Sequence, residues 1–325
     1  MPITRRRWLK SIVATTCAGA GLQSRAIAEA LFPNRPLKLV VVTAPGGSSD
    51  VTARIVSKAL EAELGQAVVV ENRTGASGTI AASYVAKATA DGYTLLFGTG
   101  STHVIAPVMM AGVPYDPIKD FVPLTYVGLA PFVLFAGPSM KANTLDELFA
   151  EARKRPGQVT FGTTGPGTAY ELAALRLEAV GNIKLNHVPY KCLTPSGIDV
   201  AGERIDIGVG PLDGFMTSDR IRILCSLGSR RLPTRPDVPT AADLGYPGFD
   251  TPSWAGVWAP AGTPPAIAAR LSQGLQKVLA RKDVQTDVGK TGIDVVGSDG
   301  NALDQLVRRQ IAEARQVVSQ PQKLD

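Results

Sequence analysis

From Leu37 onward, apolar runs of strand length alternate with segments whose apolar residues recur at helical spacing, and small residues fill the joints. Leu37 to Val42 is continuously apolar apart from Lys38, as a strand covered on both faces requires. Gly46-Gly47-Ser48-Ser49-Asp50 follows, and Val51, Ile55, Ala59 and Ala62 then mark a helix that stops at Gly65. Val68 to Glu71 reads as the next strand. The loop Gly75 to Thr79 leads into a helix carrying Ile80, Tyr84 and Val85, and Asp91-Gly92 turns the chain into a strand over Tyr93 to Gly98.

A second series begins near Val127. Thr144-Leu145-Asp146-Glu147 and Thr168-Ala169-Tyr170-Glu171 both have the form of a capping box, in which a hydroxyl and a carboxylate satisfy amides at a helix start. Between them, Val159 to Thr163 reads as a strand and Thr164-Gly165-Pro166-Gly167 as its exit loop. Further strands are predicted at Lys184–Val188, Ile205–Val209 and Ile221–Cys225, and late helices after Thr263-Pro264 and near Asn301. This alternation predicts an α/β fold with parallel, doubly wound sheets. Two series of glycine-bearing loops predict two lobes. The chain leaves the first near Ala130 and returns near Trp254, so lobe 1 spans 34–129 and 252–325, and lobe 2 spans 130–251.

The N-terminal segment carries a different signal. Thr4-Arg5-Arg6-Arg7-Trp8-Leu9-Lys10 fits a twin-arginine export pattern, and Ala26-Ile27-Ala28 places small residues where a signal peptidase reads. The run Leu9 to Leu22 is too short and too interrupted for a spanning helix. A signal peptide over 1–28, cleaved near Ala28, is therefore predicted, with release into the periplasm. Arg5, Arg6, Arg7, Lys10 and Arg25 are five of the 34 basic residues, and none of the 28 acidic ones precedes Glu29. The remainder carries about +1, without a basic cluster, which argues against nucleic acid as a partner. Cys17 leaves with the signal. Cys192 and Cys225 remain, as two free thiols or as one bridge. His103 and His187 have no Cys or His partner at ligand spacing, so no metal site is read.

In open parallel sheets, ligands sit beyond the carboxyl ends of the strands. Gly46 to Asp50 and Gly165 to Thr168 both occupy that place. Amides at a helix start carry partial positive charge and bind anions without Lys or Arg, and Ser48, Ser49 and Thr168 add hydroxyls. A small anion is predicted, a carboxylate first. The local alternative is an ordinary turn capped by Ser49 or Asp50, with Glu171 merely completing its capping box. The Gly-Lys-Ser/Thr of a nucleotide loop is absent. Ser101 and His103 make a Ser–His pair conceivable, yet loop neighbours rarely reach nucleophile–base geometry and no Gly-x-Ser-x-Gly elbow occurs. Catalysis is not read.

Several ordered segments together resemble one family. They are Pro36 to Val41, Gly46 to Arg54, Val69 to Ala76, Ala90 to Leu96, Pro114 to Phe121, His187 to Lys191, Pro236 to Thr240 and Ala259 to Pro264. The chain resembles the periplasmic solute receptors of tripartite tricarboxylate transporters, the Bug receptors. The resemblance implies a two-lobed, type II-like Venus flytrap, each lobe a mainly parallel sheet flanked by helices. It implies a monomer without cofactor that closes on a small organic acid and delivers it to membrane transporter subunits. Carried over by position, the ligand loops are Gly46, Gly47, Ser48, Ser49 and Asp50, then Ser101, Thr102 and His103, and on the opposing lobe Thr164, Gly165, Gly167 and Thr168. Tyr190 and Lys191 border the cleft.

Departures from the family pattern gather at the site. Thr43 stands where relatives carry an aromatic, Glu171 where His is common, Cys192-Leu193 where Gly-Gly is usual, and Gly210 where an Asp often stands. The segment Pro211 to Arg222 is short. Loss of that acid removes a partner for a ligand ammonium, which argues against an amino acid. Two other outputs share these residues: a ligand-dependent partner of a sensor protein, and a periplasmic hydrolase using Ser101.

Overall fold

The computed structural model describes residues 32–190, 193–211, 218–228, 231–232, 235–247, 249 and 253–319. The segment predicted as an export signal with its cleavage site, Lys191, Cys192 and most of the short segment after Pro211 lie outside the described residues. Strand β1 (Leu37–Val41), helix α1 (Ser48–Leu64), β2 (Val68–Asn72), α2 (Thr79–Ala86), β3 (Thr94–Thr99) and the single turn α3 (Ala106–Met109) come first. The chain continues through β4 (Phe121–Ala130), β5 (Phe132–Ala136), α4 (Leu145–Lys154), β6 (Val159–Thr163), α5 (Ala169–Gly181), β7 (Leu185–Pro189), α6 (Leu193–Ala201) and β8 (Ile207–Pro211). It closes with β9 (Arg222–Ser226), β10 (Ser253–Pro260), α7 (Pro265–Leu279), α8 (Lys282–Gly289), β11 (Asp294–Asp299) and α9 (Gly300–Ser319).

Two sheets form, of order β11-β4-β10-β3-β1-β2 and β7-β6-β8-β5-β9. The pairs β1–β2, β1–β3, β6–β7 and β6–β8 are parallel, with Leu39 facing Val70 on one side and Leu95 on the other. Every other pair is antiparallel. Each sheet is thus mixed, and the expectation of mainly parallel sheets holds only for the half that carries the glycine loops. The cause is the crossover. The chain leaves the first sheet on β4, enters the second one residue later on β5, and comes back on β10. An outgoing and a returning strand lying side by side must run in opposite directions.

The apolar runs are explained by cover on both faces. Leu39, Val41, Leu95 and Phe97 pack with Val56, Leu60, Leu271 and Leu275 of α1 and α7. Val40 and Leu96, pointing the other way, pack with Ala82, Val85, Leu303 and Val307 of α2 and α9. Each such side chain, fully buried, contributes about 1.5–3 kcal/mol. In the second sheet Leu134, Phe161 and Val209 pack against Leu148, Phe149 and Leu177 of α4 and α5. Gly65 ends α1 at φ +69°, its amide donating to Glu61 O at 2.9 Å, as the sequence predicts. Glu147 and Thr144 form the expected box: Glu147 N donates to Thr144 Oγ1 at 3.2 Å and Asn143 N to Glu147 Oε2 at 2.8 Å. Cys225 is a buried, free thiol whose pKa desolvation pushes up to about 12; Cys192 lies outside the described residues. Among the described residues, no helix is long and apolar enough to cross a membrane.

Candidate functional site

The first edge of the site is the start of α1. Gly47 is the N-cap and has no side chain with which to cap the first-turn amides. Asp50 is buried within the first turn and turns back instead. Its Oδ2 accepts from Gly46 N at 2.9 Å and from Arg54 Nε at 3.0 Å, and its Oδ1 from Asn72 Nδ2 at 2.7 Å. The Asn72 amide also donates to Thr43 O at 2.9 Å, which ties the exits of β1 and β2 together. Burial opposes the Asp50 charge, but the bonds from Arg54, Gly46 and Asn72 outweigh it and hold the carboxyl below its usual range. Ser48 Oγ donates to Thr291 O at 2.7 Å. Ser49 is half-buried beside it.

This bracing leaves the first-turn amides of α1 without a side-chain partner and fixes their direction. Nothing stands in front of the loop. A Cβ at Gly46 would meet no atom within 4 Å, and one at Gly47 only Ala44 O, at 3.5 Å. Gly46 needs glycine for its φ of +83°, whereas Gly47 has ordinary extended geometry. Thr43 Oγ1, at the same edge, is buried without a hydrogen-bond partner among the described residues.

The exit of β3 is a π-helical turn, Ser101–Ile105. It sends Ser101 and His103 in different directions. His103 is fully buried and stacks on Trp258 of β10, with ring centres 3.7 Å apart and planes 9° apart. Its Nδ1 lies 2.9 Å from Thr102 Oγ1, and its Nε2 is buried without a partner among the described residues. Desolvation lowers its pKa to about 3, so the ring is neutral. Buried Thr102 donates through Oγ1 to Thr99 O and accepts from Tyr115 through its carbonyl. Ser101 Oγ instead accepts from Ala169 N of the second sheet's α5, at 3.2 Å. The conceivable Ser–His pair is not formed.

The opposing loop is closed on itself. Gly165 N donates to Thr163 Oγ1 at 3.1 Å, Gly167 N to Glu171 Oε2 at 2.7 Å, and Glu171 N to Thr168 Oγ1 at 3.3 Å. Thr168 Oγ1 donates to Gly165 O at 2.7 Å. Thr164 is half-buried within the loop. The loop nevertheless meets the other sheet's loops directly: Ser77 Oγ donates to Pro166 O at 2.5 Å. Gly167 needs glycine for its φ of +70°, and a Cβ there would also lie 2.5 Å from Met110 Sδ, at the end of a side chain from the other sheet's loops. Beneath the loop, Thr163 Oγ1 contacts His187 Nε2, and His187 Nδ1 is 3.9 Å from Glu171 Oε1. Tyr190 donates through its hydroxyl to Asp199 Oδ2 at 2.8 Å; burial and that carboxylate push it up to about 12.

The structure therefore brings Ser101 and Gly165 to Thr168 together, and holds Gly46 to Asp50 open at the edge shared by β1 and β2. It places His103 in the core. Two departures from the family pattern are one packing event, because a Cβ at Gly210 would lie 2.3 Å from Leu193 Cδ2. Leucine fills the space that a larger residue at 210 would need. Sequence reasoning missed Asn72, Ser77, Met110 and Thr291 as site neighbours, although Asn72 lies within the segment Val69 to Ala76 and Ser77 within the loop Gly75 to Thr79. Among the described residues, no group of three His, Cys, Asp or Glu could hold a metal ion.

Comparison with known proteins fits this arrangement. The sequence model of the family described as "Tripartite tricarboxylate transporter family receptor" matches residues 52–322. Protein BugT of Bordetella pertussis is 35% identical over 280 residues, covering 85% of this chain and 86% of BugT. Among solved structures, Rpa4515 of R. palustris, determined with adipate, aligns at TM-score 0.84 and 31% identity, covering 88% of this chain and 97% of that one. MatC (Rpa3494) of Rhodopseudomonas palustris, with bound malate, aligns at 0.83 and 30%, covering 89% of this chain and all (100%) of that one.

Proposed function

The chain belongs to the tripartite tricarboxylate transporter receptor family, and we propose that it captures a small organic carboxylate in the periplasm for a transporter of that type. Two lobes, 34–129 with 252–325 and 130–251, close on the acid, and the crossings β4–β5 and β10 act as the hinge. One observation carries this reading: the start of α1 is left uncapped while Asp50, Asn72 and Thr291 hold its loop rigid. Preorganised amides of this kind stabilise a carboxylate without a formal positive charge. Ser48, Ser49, Gly46 and Gly47 line that grip, and Ser101, Thr164, Gly165, Gly167, Thr168 and Tyr190 close it from across the crevice. Relatives solved with adipate and with malate support an acid as the ligand here.

Closure follows from differential affinity. A ligand that touches both lobes stabilises the closed state by the contacts that the open state lacks. Export by the twin-arginine route, cleavage near Ala28 and action as a monomer complete the proposal. The test is to purify the protein from the periplasm, release what it carries and weigh it. An organic acid in the released fraction, which raises thermal stability when added back, is the expected result. At a hundred times Kd it should add about 2.7 kcal/mol. A sugar or a metal ion carried tightly, with no response to any carboxylate, would overturn the reading.

A further inference from the structure

The first sheet carries a groove of about 720 Å³ beside α2, at the end where β1 and β3 begin, and no residue assigned to the crevice lines it. Its charge is one-sided. Arg35, Lys38, Arg73 and Lys87 line it, against Asp91 and against Glu71, which is held between Lys38 and Arg73 at 2.7 and 2.5 Å. The chain after residue 28 carries about +1 in all, so an excess of two positive charges in one groove is a local concentration. Two tyrosines hold the guanidinium groups flat. That of Arg35 lies 3.9 Å from the Tyr93 ring centre and that of Arg73 3.7 Å from the Tyr84 ring centre, while Lys38 Nζ donates to the Tyr84 hydroxyl at 3.3 Å. Arg35 spends one nitrogen on Asp91 Oδ2, at 2.8 Å, and Arg73 one on Glu71 Oε1; their other N–H donors have no partner among the described residues. Lys87, exposed at the rim, is in no ion pair among the described residues.

We propose that this groove docks an extended, acidic segment of a partner protein. Stacking on a ring fixes each guanidinium plane, so its unspent donors form a fork that accepts a carboxylate at little cost in side-chain freedom. Clusters of this kind recognise acidic motifs by charge complementarity. The cations stand at two depths: Arg35 and Lys87 are exposed at the rim, and Lys38 and Arg73 are half-buried on the floor. A flat membrane surface reaches the rim alone, whereas a chain segment laid along the groove meets both levels. Pockets for small molecules are mostly apolar and enclose most of their ligand. This groove is charged and open, with exposed Ile80 at its side offering an apolar contact to a passing side chain. Because no crevice residue takes part, the inference stands apart from the identity of the cargo, and docking leaves the crevice free.

Calorimetry on the full mature chain compares the peptide (Glu-Ser)5 with (Gln-Ser)5, with citrate and with phosphatidylglycerol vesicles. The acidic peptide should bind, and bind about tenfold or more weakly when salt is raised from about 0.01 to about 0.15 M; the amide peptide should not bind. Arg35→Glu combined with Lys87→Glu reverses the two rim cations and should weaken the acidic peptide by about tenfold or more. Arg73 is left in place because it adjoins Asn72 of the brace. Lys154→Glu combined with Lys277→Glu makes the same change of net charge on exposed surface elsewhere and should leave the affinity within about threefold. Thermal unfolding shows that both double variants fold. No binding of the acidic peptide, or an equal loss in the two double variants, overturns the inference. Citrate or vesicles binding more tightly than the peptide, and losing that binding in the rim variant, would overturn it in favour of a small-anion site or a membrane surface.

Discussion

Asp50 shows how a single residue's partners decide what it does. From its position at the head of a helix its carboxylate reaches back to Gly46 N, and it also ties in Arg54 and Asn72. The brace depends on Asn72, 22 residues further on, and Ser48 depends on Thr291, 243 residues away. Local spacing marks the loop but holds no record of such partners. Asp50→Ala should cost about 1–3 kcal/mol, the penalty for stranding buried donors, read as a lower urea midpoint. It should also weaken acid binding by loosening the α1 amides. Because the folded carboxyl lies below its ordinary 3.8, its contribution is complete above that value and is lost as pH falls through the lower folded one. An Asp50→Ala variant with unchanged midpoint and affinity would show that the brace is idle.

At the scale of elements, the sequence states which segments form and is silent on several of their relations. Most strands fall where their apolar runs stand, and the glycine loops fall at strand exits. The mixed sheets were not legible, since strand direction is set by the crossover and not by any local pattern. Helix α8 and strand β11 were missed for a plainer reason: only Val284 and Val288 of α8 are buried, and β11 buries no residue fully. The π-helical turn of Ser101–Ile105 was hidden too, and it is what drives His103 against Trp258 of β10. That packing has a measurable consequence. With a folded pKa of about 3 against an ordinary 6.5, the unfolded chain binds one more proton in between, so this residue lowers stability as pH falls from about 6.5 toward 3. His103→Phe, which keeps the stack, should flatten the fall of the urea midpoint over that window. An equal fall in the variant would mean that His103 is not the group responsible.

Over the whole molecule, the loops of the two lobes already touch, at Ser77 with Pro166 and at Ser101 with Ala169. On the proposed function a ligand would add to these contacts and shift the balance toward closure, with every 1.4 kcal/mol of added contact giving about tenfold in affinity. The sequence made the two-lobed plan readable through its repeated loops. The two helix starts share one device, Asp50 and Glu171 each turning back to the amide four residues before it, and differ at the cap, where α1 has Gly47 and α5 has Thr168 with its hydroxyl on Glu171 N. The central claim is that the acid is held by the bare amides of α1. Gly47→Val tests it most directly, because Gly47 has extended backbone geometry and room for a side chain, so the fold is spared while the approach to the amides is blocked. Calorimetry with the acid recovered from the native protein should show binding lost by at least a hundredfold at an unchanged melting temperature; full affinity in the folded variant would contradict the account.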